Sequence, residues 1–101
     1  NFFNLQKIPS YASHNGHLFY LLFSSKLLAK KFSTTMNSFG VQTASHYVGL
    51  HSSYYGKKNS RHQGAMKNTN KASNCLIRIP IWEGLDASYV IDAMSKSLKK
   101  L

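Results

Sequence analysis

The sequence predicts an α+β domain, a small mixed or antiparallel sheet covered by two amphipathic helices. Three observations carry this expectation. The aromatic run at residues 17–23 has strand length and lies between turn residues. Apolar residues recur at helical spacing around 25–38 and again behind Asp86. A second β-type run occupies 76–82. The order strand, helix, strand, loop, strand, helix suits helices laid on one face of a sheet. At 101 residues the chain is a single domain, 1–101.

Taken in order, residues 1–15 read as irregular. Phe2, Phe3, Leu5 and Ile8 are apolar, but Pro9 lacks a backbone donor and Asn15-Gly16 signals a turn. Residues 17–23 form the first strand. Ser24 or Ser25 caps a helix over about 25–38, whose stripe is Leu28, Phe32, Met36 and Phe39 and whose stop is Gly40. Val41 to Ala44 return as a short strand, which residues 46–50 extend. Residues 52–70 are polar and read as a long loop. Residues 68–75 make a short helical turn. Leu76 and Arg78 then share one strand face, with Ile77 and Ile79 on the other, and Pro80 ends the pairing or marks an edge. Asp86 caps a final helix with the stripe Ala87, Val90, Ile91, Met94, Leu98 and Leu101.

Composition narrows the function classes. A hydrophobic content of 43% excludes pure disorder. The formal charge is +10, and Glu83, Asp86 and Asp92 are the only acids, so residues 1–82 carry no carboxylate. Such a body attracts anions: nucleic acid, phosphorylated ligands, anionic lipid or an acidic protein surface. One cysteine, Cys75, excludes an internal disulfide framework and a Cys-rich zinc site, and its apolar setting marks it as a buried structural thiol. No apolar run is long enough to span a bilayer, and no signal peptide is visible. The chain begins without Met, as is expected of a cut piece of something longer or of a processed product.

The chemically richest stretch is 44–52, which holds His46, Tyr47 and His51. The histidine spacings match no strong zinc signature, so loop or pocket roles are expected of them and no metal. Tyr54, Tyr55, Lys57, Lys58, Arg61 and Lys67 interleave aromatics with cations, as a small basic nucleic-acid-binding module does, yet no known nucleic-acid motif is present. No self-contained triad and no glycine-rich phosphate loop is found. The residues alone thus reach a small basic α+β domain with a His/Tyr-rich strand end, and no reaction.

A resemblance goes further. Asn15-Gly-His-Leu-Phe-Tyr20 resembles the Asn-Ala-His-Met-Phe-Tyr segment of sugar-nucleotide aminotransferases of the DegT/DnrJ/StrS type. His46-Tyr-Val-Gly-Leu-His51 resembles their His-Tyr-x-Pro-Leu-His, and Leu76-Ile-Arg-Ile-Pro-Ile81 their Leu-Leu-Arg-Leu-Pro-Leu. Tyr89-Val-Ile91 falls where their last helix begins. The blocks keep the family's order over about 8–98.

The resemblance implies the C-terminal small domain of a cytoplasmic, homodimeric fold-type I enzyme that uses pyridoxal phosphate. Such enzymes move an amino group, usually from glutamate, to the 4-keto carbon of a nucleotide-linked sugar. The paired His-Tyr-x-x-Leu-His form points to dTDP-linked 6-deoxyhexoses used for cell-surface polysaccharide. It implies no nucleic-acid or membrane partner. The cofactor's Schiff-base lysine belongs to a large domain with no counterpart here, so this chain alone is expected to be inactive. By the motif match, His46, Tyr47, His51 and Arg78 are the substrate-binding candidates, with an ion pair to the large domain as a second role for Arg78. Gly49 stands where the family has Pro, which is expected to loosen the backbone between Tyr47 and His51. Residues 52–70 are expected to be a variable, sugar-facing insert.

Overall fold

The computed structural model describes residues 2–101. Four strands form one antiparallel sheet in the order β1-β2-β4-β3. They are β1 (Phe3–Leu5), β2 (Phe19–Phe23), β3 (Ala44–Ser45) and β4 (Leu76–Ile79). The helices are α1 (Lys26–Ser38), α2 (Tyr54–Asn59), α3 (Lys67–Cys75) and α4 (Ala87–Leu98). This is the expected fold class, with more helix than the sequence suggested.

Register decides the two faces of the sheet. Phe19 lies opposite Ile79, Leu21 opposite Ile77, and Phe3 opposite Phe23. Opposed residues share a face, so these six look the same way, and Leu21, Phe23, Ile77 and Ile79 are buried. The helices supply the other side of this core: Ala29, Phe32 and Met36 from α1, and Val90 and Ala93 from α4. The Phe23 and Phe32 rings meet at 5.0 Å, joining sheet to helix. The opposite sheet face carries Tyr20 beside Arg78 and Leu22 beside Leu76, all only half-buried, and Ala44, which is exposed. That face is free to build a site.

The capping expectations hold. The Ser25 hydroxyl accepts from the Leu28 N–H at 3.3 Å, and an Asp86 carboxylate oxygen accepts from the Tyr89 N–H at 3.2 Å. Gly40 ends α1 with φ at +74°, and a Cβ there would sit 3.3 Å from the Tyr89 hydroxyl. That hydroxyl donates to the Phe39 carbonyl at 2.7 Å, fastening α4 to the end of α1.

Several sequence expectations are corrected. Residues 3–5 are a strand, because the Phe3 ring packs on Phe23 at 5.9 Å and β2 offers a free edge. Residues 46–50 do not extend β3, since the chain turns at Gly49 into a 3-10 turn, Leu50–Ser52. The expected loop 52–70 contains α2 and the start of α3. Pro80 ends β4 but does not mark an edge: β4 lies inside the sheet, between β2 and β3. On α4 the buried face is Val90, Ala93 and Ser97, while Ile91 is 60% exposed and Ala87 is exposed.

The radius of gyration is 15.3 Å, against about 13 Å for a compact domain of about 100 residues. Residues 10–17 and 57–65 are exposed throughout.

Candidate functional site

β4 places Arg78 on the sheet face opposite the core. Its neighbours across the sheet are Tyr20 on β2 and Ala44 on β3. The alanine methyl fills little space, so a recess of about 270 Å³ remains, lined by His17, Gln42, Ala44, Arg78 and Pro80. Just past the end of β3 the chain carries Tyr47 over the guanidinium, with Arg78 Cζ 5.7 Å from the ring centroid. His46 meets the Tyr47 ring edge-on at 4.7 Å. Stacking on an aromatic face holds a guanidinium plane while leaving its N–H fork to an anion.

Arg78 has no carboxylate partner: Lys96–Asp92, at 2.6 Å, is the one ion pair among the described residues. Arg78 Nε and His46 Nδ1 are both buried without a hydrogen-bond partner. Unpaired buried polar groups are rare and costly, and here Arg78 lines an open recess that a polar ligand or water can enter.

His51 lies apart from this cluster. Its Nε2 pairs with Asn70 Oδ1 at 2.8 Å, and its ring meets His62 edge-on at 5.2 Å. Asn70 Nδ2 donates to the Ala65 carbonyl at 3.1 Å, which turns Oδ1 toward the histidine. His51 therefore donates from Nε2, and its Nδ1 is buried and unpartnered. The structure thus brings together His46, Tyr47 and Arg78, while His51 ties the 3-10 turn to α3.

Gly49 explains how His51 is held. Its φ of −55° and ψ of 132° are angles that proline also adopts. A Cβ at Gly49 would lie 2.8 Å from His51 Cε1 and 3.3 Å from the Thr69 methyl. The glycine leaves room for the imidazole to lie against the main chain.

α2 is docked the same way. A Cβ on Gly56 would fall 1.7 Å from the Leu50 carbonyl oxygen, so only glycine fits where α2 crosses the 3-10 turn. Ser53 caps α2 by accepting from the Gly56 N–H at 3.0 Å. The Ser53 cap was the signal for α2 present in the sequence. His17 stood in the first motif block, but nothing in the sequence set it beside Arg78 or set Asn70 and His62 beside His51, since those contacts join separate elements.

Among the described residues no three His, Cys, Asp or Glu side chains come together as a metal site would need. Cys75 is buried, as expected of a structural thiol. No described helix is long and apolar enough to cross a membrane.

Pyridoxal phosphate does not fit this chain by itself. Holding it as a Schiff base requires an enclosed lysine, yet every lysine here is exposed and none lines the Arg78 recess. The recess is lined by an arginine and a histidine, with Tyr47 over the guanidinium, a set that suits binding an anion.

No curated protein matches the chain. The model of the DegT/DnrJ/EryC1/StrS aminotransferase family, however, matches residues 2–96, nearly the whole length. With three of the motif residues converging on one open sheet face, and with that match, the chain belongs to the DegT/DnrJ/EryC1/StrS aminotransferase family.

Proposed function

We propose that this chain is the C-terminal small domain of a pyridoxal-phosphate-dependent transaminase, and that it forms one wall of the sugar-nucleotide site. The substrate is a dTDP-linked 4-keto-6-deoxyhexose, as for dTDP-4-amino-4,6-dideoxygalactose transaminase, which makes a precursor of enterobacterial common antigen. Glutamate is the amino donor and the full enzyme is a cytoplasmic homodimer. The observation that carries this reading is the guanidinium of Arg78, held by Tyr47 and free of any carboxylate, at the centre of the family's motif residues.

In this reading the cofactor is anchored by a lysine outside the chain and supplies the electron sink for amino transfer. The residues here bind and orient. Arg78 holds an anionic group of the substrate, Tyr47 keeps the guanidinium in plane, and His46 offers a buried nitrogen to a polar group of the sugar. His51, through Asn70, holds the wall in place. None of them abstracts the substrate proton. The basic surface draws in the substrate's diphosphate.

Calorimetry with the dTDP-linked keto sugar tests the reading, beside a gel shift with generic duplex DNA at about 50 and 200 mM salt. Saturable heat with the sugar nucleotide and no discrete DNA complex is expected. Tight, steeply salt-dependent DNA binding without sugar-nucleotide binding would replace this reading with a nucleic-acid-binding module. The isolated chain should also give no desalting-resistant internal-aldimine absorbance with pyridoxal phosphate.

A further inference from the structure

We propose that the trough running from Arg78 past Pro80 to Trp82 seats a nucleoside diphosphate at two points, the diphosphate on Arg78 and the base ring on Trp82. This rests on the sugar-nucleotide reading and adds which end of the ligand goes where.

The Arg78 recess does not stand alone. A larger cleft of about 600 Å³ opens beside it, and Gln42, Ala44 and Pro80 line both. The two form one trough along the chain that leaves β4. Arg78 and Trp82 are four residues apart, at most about 13 Å of extended chain. That span suits a base at one end and a diphosphate at the other.

The ends differ in chemistry. At the first, the Arg78 fork matches the paired oxygens of a phosphate, with His17 beside it. At the second, Trp82 is 62% exposed next to the apolar side chains of Leu85 and Val90. A large indole left open beside an apolar cleft is a platform on which a flat ring stacks, and such stacking tolerates different bases. Charge then sets the direction. Asp86 lines the Trp82 end and Glu83 adjoins it, whereas no carboxylate lies anywhere in residues 1–82. A diphosphate is repelled from the Trp82 end and attracted to Arg78.

Trp82 is the only tryptophan, so its fluorescence reports on the proposed platform directly. Titration of the chain with dTDP should quench it saturably. Inorganic pyrophosphate should relieve the quench by displacing dTDP while causing none itself. Arg78→Met, with its circular dichroism checked, should weaken dTDP by at least about tenfold, the loss of a charge-assisted pair. Lys30→Ala removes an exposed α1 cation away from the trough and should leave the affinity unchanged. The seat is overturned if dTDP gives no saturable quench, if pyrophosphate fails to relieve it, or if a folded Arg78→Met binds as the parent does. The pyrophosphate competition needs no variant, so a misfolded Arg78→Met does not rescue the idea. Calorimetric binding of the keto sugar nucleotide with a silent Trp82 would sink this seat alone, and silence in both would sink the wider reading too.

Discussion

The sheet with α1 and α4 is held together differently from the segment 46–70 that leans on it. In the first, Phe23, Phe32, Leu21 and Met36 are fully buried and the contacts are apolar. In the second, the contacts are a glycine under a carbonyl, serine hydroxyls on backbone groups, and a histidine on an asparagine. Tyr47, Val48, Leu50, Tyr54 and Tyr55 all stay largely exposed there. Apolar burial fixes a fold cooperatively, while polar and close-approach contacts fix a local shape at small net free energy. The first region is therefore the scaffold, and the second is a shaped surface that can be altered without unfolding it.

That contrast breaks most readily at Phe32. Phe32→Ala should cost about 3–5 kcal/mol, read by urea denaturation, and should loosen both regions together. Gly56→Ala should instead cost about 1–3 kcal/mol and act on the second region. Hydrogen exchange should rise across 50–60 while β2 and β4 stay protected, and equal loosening of β2 would show that the regions are not separable. Ser97→Ala sharpens the picture from the other side. The Ser97 hydroxyl is fully buried with no partner, so its removal should raise stability by about 1 kcal/mol.

Gly49→Pro tests the shaped surface alone. The backbone angles accept proline, and stability should move by less than about 1 kcal/mol. The His51 ring must nevertheless shift, so the Nε2–Asn70 hydrogen bond should weaken in imidazole nitrogen spectra.

The smallest effect concerns Asp86. The Ser88 hydroxyl and then the Tyr89 N–H hold its carboxyl below the usual range. A depressed pKa contributes stability above the unfolded value of about 3.9 that is lost as pH falls through the folded value. Asp86→Asn should keep the cap and flatten this dependence below about pH 4 in a denaturation series.

How much was legible follows the same division. β2, α1, β4 and α4 were read from apolar spacing and caps, because local pattern and burial agree there. β1 was missed because three residues carry too little alternation, and only the edge of β2 organises them. α2 was missed because its glycine reads as a helix breaker until the Leu50 carbonyl is found against it. On α4, spacing named Ile91 as core, but the helix is turned so that Ala93 and Ser97 face inward. The motif residues were visible as a set, whereas the separation of His51 from Arg78 was not, since it depends on Asn70 and His62.

The account turns on the open sheet face being the binding surface. Hydrogen exchange of the chain with and without the dTDP-linked keto sugar tests that most directly. Added protection at 44–49 and 76–82, with α1 and α4 unchanged, is the predicted result. Protection confined to the lysines and tyrosines of 54–67, or none at all under saturating ligand, would contradict it.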